Sequence, residues 1–464
     1  MTSVTEMDNE PSNSKIKDII IKIKNKKLDE ASVSIDELLT NFPNSSLLYS
    51  LRGTIELSKS NYDKAIKCFL KAKENNPNRK EVYFDLGTAY ELKIEYEAAA
   101  ENFLKVLEID KDHLASLNSL GNLYLKINDI QKAALFLSQA VELKPDSAPV
   151  LNNLGNLKKV EGEFKDAIKY YKSALDIEEN FTSAKRNMAS CFLALKDYNS
   201  AGVIYSEIGD KFSNAKYLEC LLNLSEYDKF FSIIQEVGQK DPYNLWMAAL
   251  SAYASDEKSV PDIYPFCRNP LDYIHFSNLR THLEDYKTFI GSLLNEMNEL
   301  NSEWEPRNKT TKKGFQTAND LFSLNSENLN VLKAVIINEM QSYRFRFKQS
   351  NNLLIKNFPE KGRLNGWYVK LVKQGHQDSH IHPTGWVSGV IYLKTIQGGK
   401  GDEGAIQFGL HGYNYPKPSA EVSKLTWLPN DGDLVLFPSS LFHNTVPVKQ
   451  DCERCVIAFD FVPG

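Results

Sequence analysis

A disulfide framework, a membrane span and a basic surface are all missing from this chain. Its six cysteines (Cys68, Cys191, Cys220, Cys267, Cys452 and Cys455) are scattered over 464 residues, too sparse for the cross-linking that small secreted domains rely on. Cys452 and Cys455 form a CERC run, but no second pair completes a four-sulfur zinc site. No stretch reaches the run of about 18 apolar residues that a membrane helix needs, and the opening residues MTSVTEMDNEPSNSK lack the charged start and apolar core of a secretory signal. The expectation is a cytoplasmic protein with no membrane partner. With a formal net charge of −5 there is no broad positive field to grip a nucleic acid backbone. Histidine is also scarce, yet five of the eight (His376, His380, His382, His411 and His443) lie in the stretch from residue 376 to the end.

Apolar residues at 42% and charged residues at 25% match a folded soluble protein. A chain this long exceeds one ordinary core, so at least two domains are expected. The first half is repetitive. Glycines at Gly53, Gly87, Gly121 and Gly155 are spaced by 34, with Ala189 at the next step, and Ala65, Ala99, Ala133, Ala167 and Ala201 follow twelve residues after each. Small residues at those two places let two helices of a unit nest closely, while Leu51, Tyr90, Tyr124 and Phe103 fill the space between units. Pro43, Pro77 and Pro145 end second helices.

This pattern resembles the tetratricopeptide repeat. The resemblance implies an α-solenoid of about six helix pairs, with a capping unit near residues 12–45 and a register that frays beyond residue 214. Such an array offers a concave face suited to an extended peptide or partner helix.

Residues 255–304, with Pro261, Pro265 and Pro270, read as a helical junction. Apolar spacing at Leu329, Leu332, Val335, Ile336 and Met340 predicts a helix over 326–343. Short apolar runs at 367–372, 387–393, 405–408, 433–437 and 456–461 then predict strands. The predicted organisation is a multidomain α + β protein: a disordered tail (1–11), helical repeats (12–254), a helical junction (255–304) and a β-domain (305–464).

His380 and His382 are two apart, so on extended backbone both rings face the same side and can meet one ion. His443 follows the strand Leu434-Val-Leu-Phe-Pro, which a barrel can return beside that pair. Arg454, eleven residues on, can point into the same cavity and hold a carboxylate by two parallel hydrogen bonds. His376-Gln-Asp378 is an alternative metal pair, with His380 then outside the ligand set. His411, in the polar loop HGYNYPKP, reads as structural.

The segments GHQDSHIHPTGWVSGVIYL (375–393), GAIQF (404–408), GDLVLFPSSLFH (432–443) and ERCVIAFD (453–460) resemble the 2-oxoglutarate and iron(II)-dependent oxygenase family, as does TKKGFQT (311–317) upstream. The resemblance covers about residues 305–464. It implies a double-stranded β-helix, jelly-roll or cupin-like, with flanking helices. It also implies Fe(II) held by His380, His382 and His443, and 2-oxoglutarate held by Arg454 with Tyr392 and Ser388 as lesser contributors. The usual ligand set is two histidines and one carboxylate; His382 stands where the carboxylate is expected. The implied function is a dioxygenase of hydroxylase type, acting on a protein or peptide recruited by the repeats or on a small molecule. The competing reading is a repeat-based interaction protein whose barrel binds metal but is inactive, or works without 2-oxoglutarate.

Overall fold

The computed structural model describes residues 10–307, 309–396, 401–419 and 421–464. Residues 1–9, most of the segment read as a disordered tail, lie outside the described residues. The chain divides into two compact units between Asp197 and Tyr198.

The first unit is a run of paired helices: α1 (Asn13–Lys24) and α2 (Leu28–Asn41), α3 (Ser46–Ser58) and α4 (Tyr62–Asn75), α5 (Lys80–Leu92) and α6 (Tyr96–Ile109), α7 (Leu114–Lys126) and α8 (Ile130–Leu143), α9 (Ala148–Val160) and α10 (Phe164–Ile177), then α11 (Thr182–Ala194). The small residues do what their spacing predicts. A Cβ built on Gly53, Gly87, Gly121 or Gly155 would lie 2.3 to 2.6 Å from Phe69, Phe103, Leu137 or Tyr171 on the partner helix. No real side chain tolerates such an approach, so glycine is required for the pair to close. Replacing Gly121 with valine is expected to destabilise this unit by about 1–3 kcal/mol through overpacking, measurable as a lowered denaturant midpoint with an unchanged slope. First helices of successive pairs are also tied by amides: Asn153 donates to Asn118 at 2.9 Å and Asn187 to Asn152 at 3.2 Å.

The second unit begins with α12 (Tyr198–Ile208), α13 (Lys211–Asn223), α14 (Tyr227–Lys240) and α15 (Leu245–Lys258). The register fades here for a local reason. α12 has 11 residues where earlier second helices have 14, and α13 starts at 211, 29 residues after α11 at 182. Helix pairing continues after the sequence period is broken.

Next come β1 (His275–Asn278), α16 (Tyr286–Glu299), β2 (Ser302–Trp304), β3 (Thr311–Thr317), α17 (Glu327–Arg346), β4 (Gly362–Gln377), β5 (Val387–Lys394), β6 (Ile406–Gly409), β7 (Lys424–Trp427), β8 (Asp433–Pro438), β9 (Phe442–Thr445) and β10 (Arg454–Pro463). They form a seven-stranded antiparallel sheet in the order β1-β8-β5-β10-β4-β3-β2 and a three-stranded one in the order β7-β6-β9. Together they make the strand-rich sandwich of a jelly roll. The sequence of β5, VSGVIYL, is apolar almost throughout because all seven of those positions are buried; it sits between β8 and β10 with both faces covered. Helices brace the sheet from outside. Glu339 of α17 accepts hydrogen bonds from His275 (2.9 Å), Ser277 (2.7 Å) and His282 (2.5 Å). Burial pushes its carboxyl up, but those three bonds prevail and hold it down at about 2, so it is an anion that pins β1 to the helix.

Candidate metal centre

The two sheets meet at the histidines. His380 and His443 exchange backbone hydrogen bonds at 3.1 Å in both directions, a pairing that sets their side chains together. The His382 amide donates to the Ser439 carbonyl at 2.9 Å. One ring nitrogen from each of His380, His382 and His443 then lies within 4.8 Å of the other two. Among the described residues this is the one group of three or more such side chains placed to hold a metal ion. The alternative pair is elsewhere: His376 contacts Asp378 at 3.4 Å, and neither belongs to the converging set.

The direction of each ring is fixed from outside. Nδ1 of His380 faces the Asp378 carbonyl at 2.7 Å, Nδ1 of His443 the Leu441 carbonyl at 3.1 Å, and Nδ1 of His382 the Asp460 carboxylate at 3.0 Å. These oxygens accept and do not donate, so each Nδ1 carries a proton and each Nε2 is turned toward the other two rings. The Nε2 atoms of His382 and His443 are 3.2 Å apart. That separation suits either one shared proton or a metal ion between the two nitrogens. Metal–nitrogen bonds of roughly 2.1 Å at right angles place two nitrogens about 3 Å apart, so the spacing fits an ion. Burial lowers the His380 ring to about 3, with neighbouring His382 adding to the shift, and drives His443 well below its usual value in the same way. Both rings are therefore neutral at physiological pH, the form that ligates metal.

Three further features escape sequence reasoning. Asp460 holds His382, and its other oxygen accepts from Ser388 at 2.6 Å; the Ser388 hydroxyl also lies 2.8 Å from Ser439 Oγ. Trp367 stacks on His382 with ring centroids 5.4 Å apart. A carboxylate bound to a ligating imidazole makes it a stronger donor, so Asp460 supplies negative charge one hydrogen bond away from where a ligand carboxylate usually stands. The signal for Asp460 was its place in β10, six residues after Arg454 and so on the same face of the strand. Asp460→Asn is expected to weaken metal affinity by about 10- to 100-fold with the fold intact, read by metal titration.

Arg454 lines the same cavity as the three histidines. Its side chain is fully enclosed, its Nε donates to the Gly404 carbonyl at 2.9 Å, and its Nη1 has no hydrogen-bond partner. Burial lowers its basicity. The guanidinium carbon sits 5.0 Å from the centre of the Tyr392 ring, whose buried hydroxyl is pushed up to about 12 by burial against the pull of the guanidinium. Leaving a buried cation half satisfied is costly, and the arrangement calls for an anion. His411 donates to the Pro416 carbonyl at 3.1 Å and packs on Tyr253 and Tyr415, away from the centre.

Residues 365–460 match the family described as "Putative 2OG-Fe(II) oxygenase", residues 12–118 match Iml2/tetratricopeptide repeat protein 39, and residues 114–147 and 148–181 match the tetratricopeptide repeat. The chain thus carries tetratricopeptide repeats followed by a domain of the 2OG-Fe(II) oxygenase family. No curated protein matches. Among solved structures, the APC/C hetero-tetramer Cut9–Hcn1 is 14% identical with a TM-score of 0.46, covering 55% of this chain. This chain spans about half, 51%, of that one. A thermophilic repeat protein of Thermus thermophilus is 20% identical (TM-score 0.36, 38% of this chain and 100% of that one). A repeat protein from Parabacteroides merdae is 14% identical (TM-score 0.41, 48% and 90%). Among the described residues no helix is long and apolar enough to cross a membrane.

Proposed function

We propose that the β-domain is a non-haem Fe(II) and 2-oxoglutarate-dependent dioxygenase, a hydroxylase, and that the helical repeats recruit its protein or peptide substrate. The observation that carries this reading is a half-satisfied buried guanidinium in the cavity where three imidazole nitrogens converge. In this reading His380, His382 and His443 hold the iron and Arg454 receives the far carboxylate of 2-oxoglutarate, beside the ring of Tyr392. Iron with 2-oxoglutarate bound would let molecular oxygen oxidise a C–H bond, one oxygen atom going into succinate as carbon dioxide leaves and the other into the hydroxylated product.

The chain's own residues do the rest. Asp378, Leu441 and Asp460 keep each imidazole pointed inward, so the ion meets preset donors. Trp367 and Phe437 cover the rings of His382 and His443 and keep water from them. Ser388 is engaged with Asp460 and Ser439, so its part is to brace the carboxylate behind His382. In the repeats, the amides of Asn152 and Asn153 are buried and bonded to neighbouring amides, so they brace successive helix pairs.

The full-length protein, given iron(II) and 2-oxoglutarate, should form succinate in step with oxygen uptake. Tight iron binding without any affinity for 2-oxoglutarate would refute the reading. The three-imidazole set would then favour an oxygenase that works without 2-oxoglutarate, in which Arg454 holds the substrate's own carboxylate.

A further inference from the structure

Helix α17 and the first residues of β4 face each other across a groove of about 730 Å³. One wall is a single stripe of α17, Lys333, Ile337, Met340, Gln341 and Arg344, at helical spacing. Phe322, Leu364 and Phe461 give it an apolar floor. Ile337 is 47% exposed, and Arg344, Lys361 and Arg363 are exposed along the opening, so solvent reaches the groove.

The second wall is an open strand edge. β10 pairs with β4 from Gly362 to Leu371, whereas β3 joins the other side of β4 only from Val369 onward. On that other side the amides of Gly366 and Tyr368 donate to Asp320 at 2.8 Å and to Thr317 at 3.0 Å. Alternation along the strand turns the amides of Gly362 and Leu364 the same way, and among the described residues no protein group receives them. Such an edge is a template for one more strand.

Charge sets a further requirement. Lys333, Arg344, Lys361 and Arg363 line the groove against two carboxylates, Asp320 and Glu360. Asp320 is occupied by the amides of Phe322 and Gly366, and Lys333 donates to the Phe322 carbonyl at 3.0 Å. Arg344, Lys361 and Arg363 enter no ion pair among the described residues. Cations beside an open edge discourage a neutral or basic strand and select an acidic one. A fatty acid would bring one carboxylate but no main-chain groups for Gly362 and Leu364. An extended peptide alternating acidic and apolar residues answers the edge, the floor and the cations together. From Lys333 to Arg344 the α17 stripe runs roughly 16 Å, the length of about five extended residues.

We propose that this groove docks an acidic, extended segment of a partner protein, added to β4 as an edge strand. The surface belongs to the β-domain and does not rest on the oxygenase reading.

The test titrates the full-length protein, without added metal, calorimetrically with the peptide Gly-Glu-Val-Glu-Val-Glu-Gly, acetylated and amidated at its ends. Lysine in place of the three glutamates should weaken binding by about tenfold or more, as should raising sodium chloride from about 0.05 to about 0.5 M. Arg344→Glu combined with Lys361→Glu should reverse the preference, and Ile337→Asp should weaken the glutamate peptide about tenfold. All three positions are exposed, so the variants keep the fold. Strand addition has its own readout. Methylating the amide nitrogens of both valines, or instead those of the three glutamates, blocks opposite edges of the peptide, so one pattern should cost about tenfold or more and the other little. No binding of the glutamate peptide at about 1 mM, equal binding of the glutamate and lysine peptides, a preference unchanged in the double variant, or equal tolerance of both methylation patterns would overturn the proposal. Dodecanoate binding more tightly than the glutamate peptide would also overturn it, in favour of a lipid anion.

Discussion

Replacing His443 with alanine should reduce iron-dependent succinate formation by more than about a thousandfold, to the background of free iron. The size of the effect follows from what the ring does and what the backbone does separately. The bridge between residues 380 and 443 uses main-chain atoms, so alanine keeps the strand pairing and removes the imidazole alone. The ring is buried against Phe437 and Phe408, and the resulting cavity should cost about 2–4 kcal/mol, too little by itself to unfold a domain with a large core. Iron stoichiometry should fall together with activity while the melting transition stays cooperative. Normal turnover in a folded His443→Ala protein would remove this residue from the centre.

The second large effect has an uncommon sign. Arg454→Met should weaken 2-oxoglutarate binding by about a hundredfold or more, the usual consequence of deleting one partner of a buried charge pair. Stability without 2-oxoglutarate should nevertheless stay level or rise. The substitution leaves the Gly404 carbonyl without its donor, a cost of about 1–3 kcal/mol, but it also removes a buried cation whose Nη1 has no partner, and methionine of similar length fills the space. A guanidinium serving only to hold the fold would give the opposite pair of results: a marked drop in melting temperature with 2-oxoglutarate affinity unchanged. The titration and the melt therefore have to be read together.

Much of this molecule was legible in its residues because the signals were redundant. Five glycine or alanine positions at one spacing fixed the helix pairs through Ala189, and they failed only where α12 loses a turn and the next pair starts early. In the β-domain the apolar runs at β5, β8 and β10 stand out because those strands are buried on both faces. β1, β7 and β9, with the sequences HFSN, KLTW and FHNT, are four residues long and partly polar, so periodicity has nothing to count. β1 was hidden in the stretch read as a junction. At the centre, two-residue spacing was enough to place His380 and His382 on one side, and the structure brings His443 and Arg454 to the same cavity. Spacing gave no sign that main-chain carbonyls at Asp378 and Leu441 aim two of the rings, since any residue type supplies a carbonyl. The Asp460 contact to His382 crosses 78 positions and exists only once β10 is laid beside β5.

In the proposed centre three imidazoles share one cation, and a crystallographic measurement on the iron-loaded full-length protein would show it. Nitrogen from His380, His382 and His443 is expected at roughly 2.0–2.2 Å from a single iron, with the remaining coordination places open to water or 2-oxoglutarate. Iron bound instead at His376 and Asp378, or held by fewer than three of these rings, would contradict it.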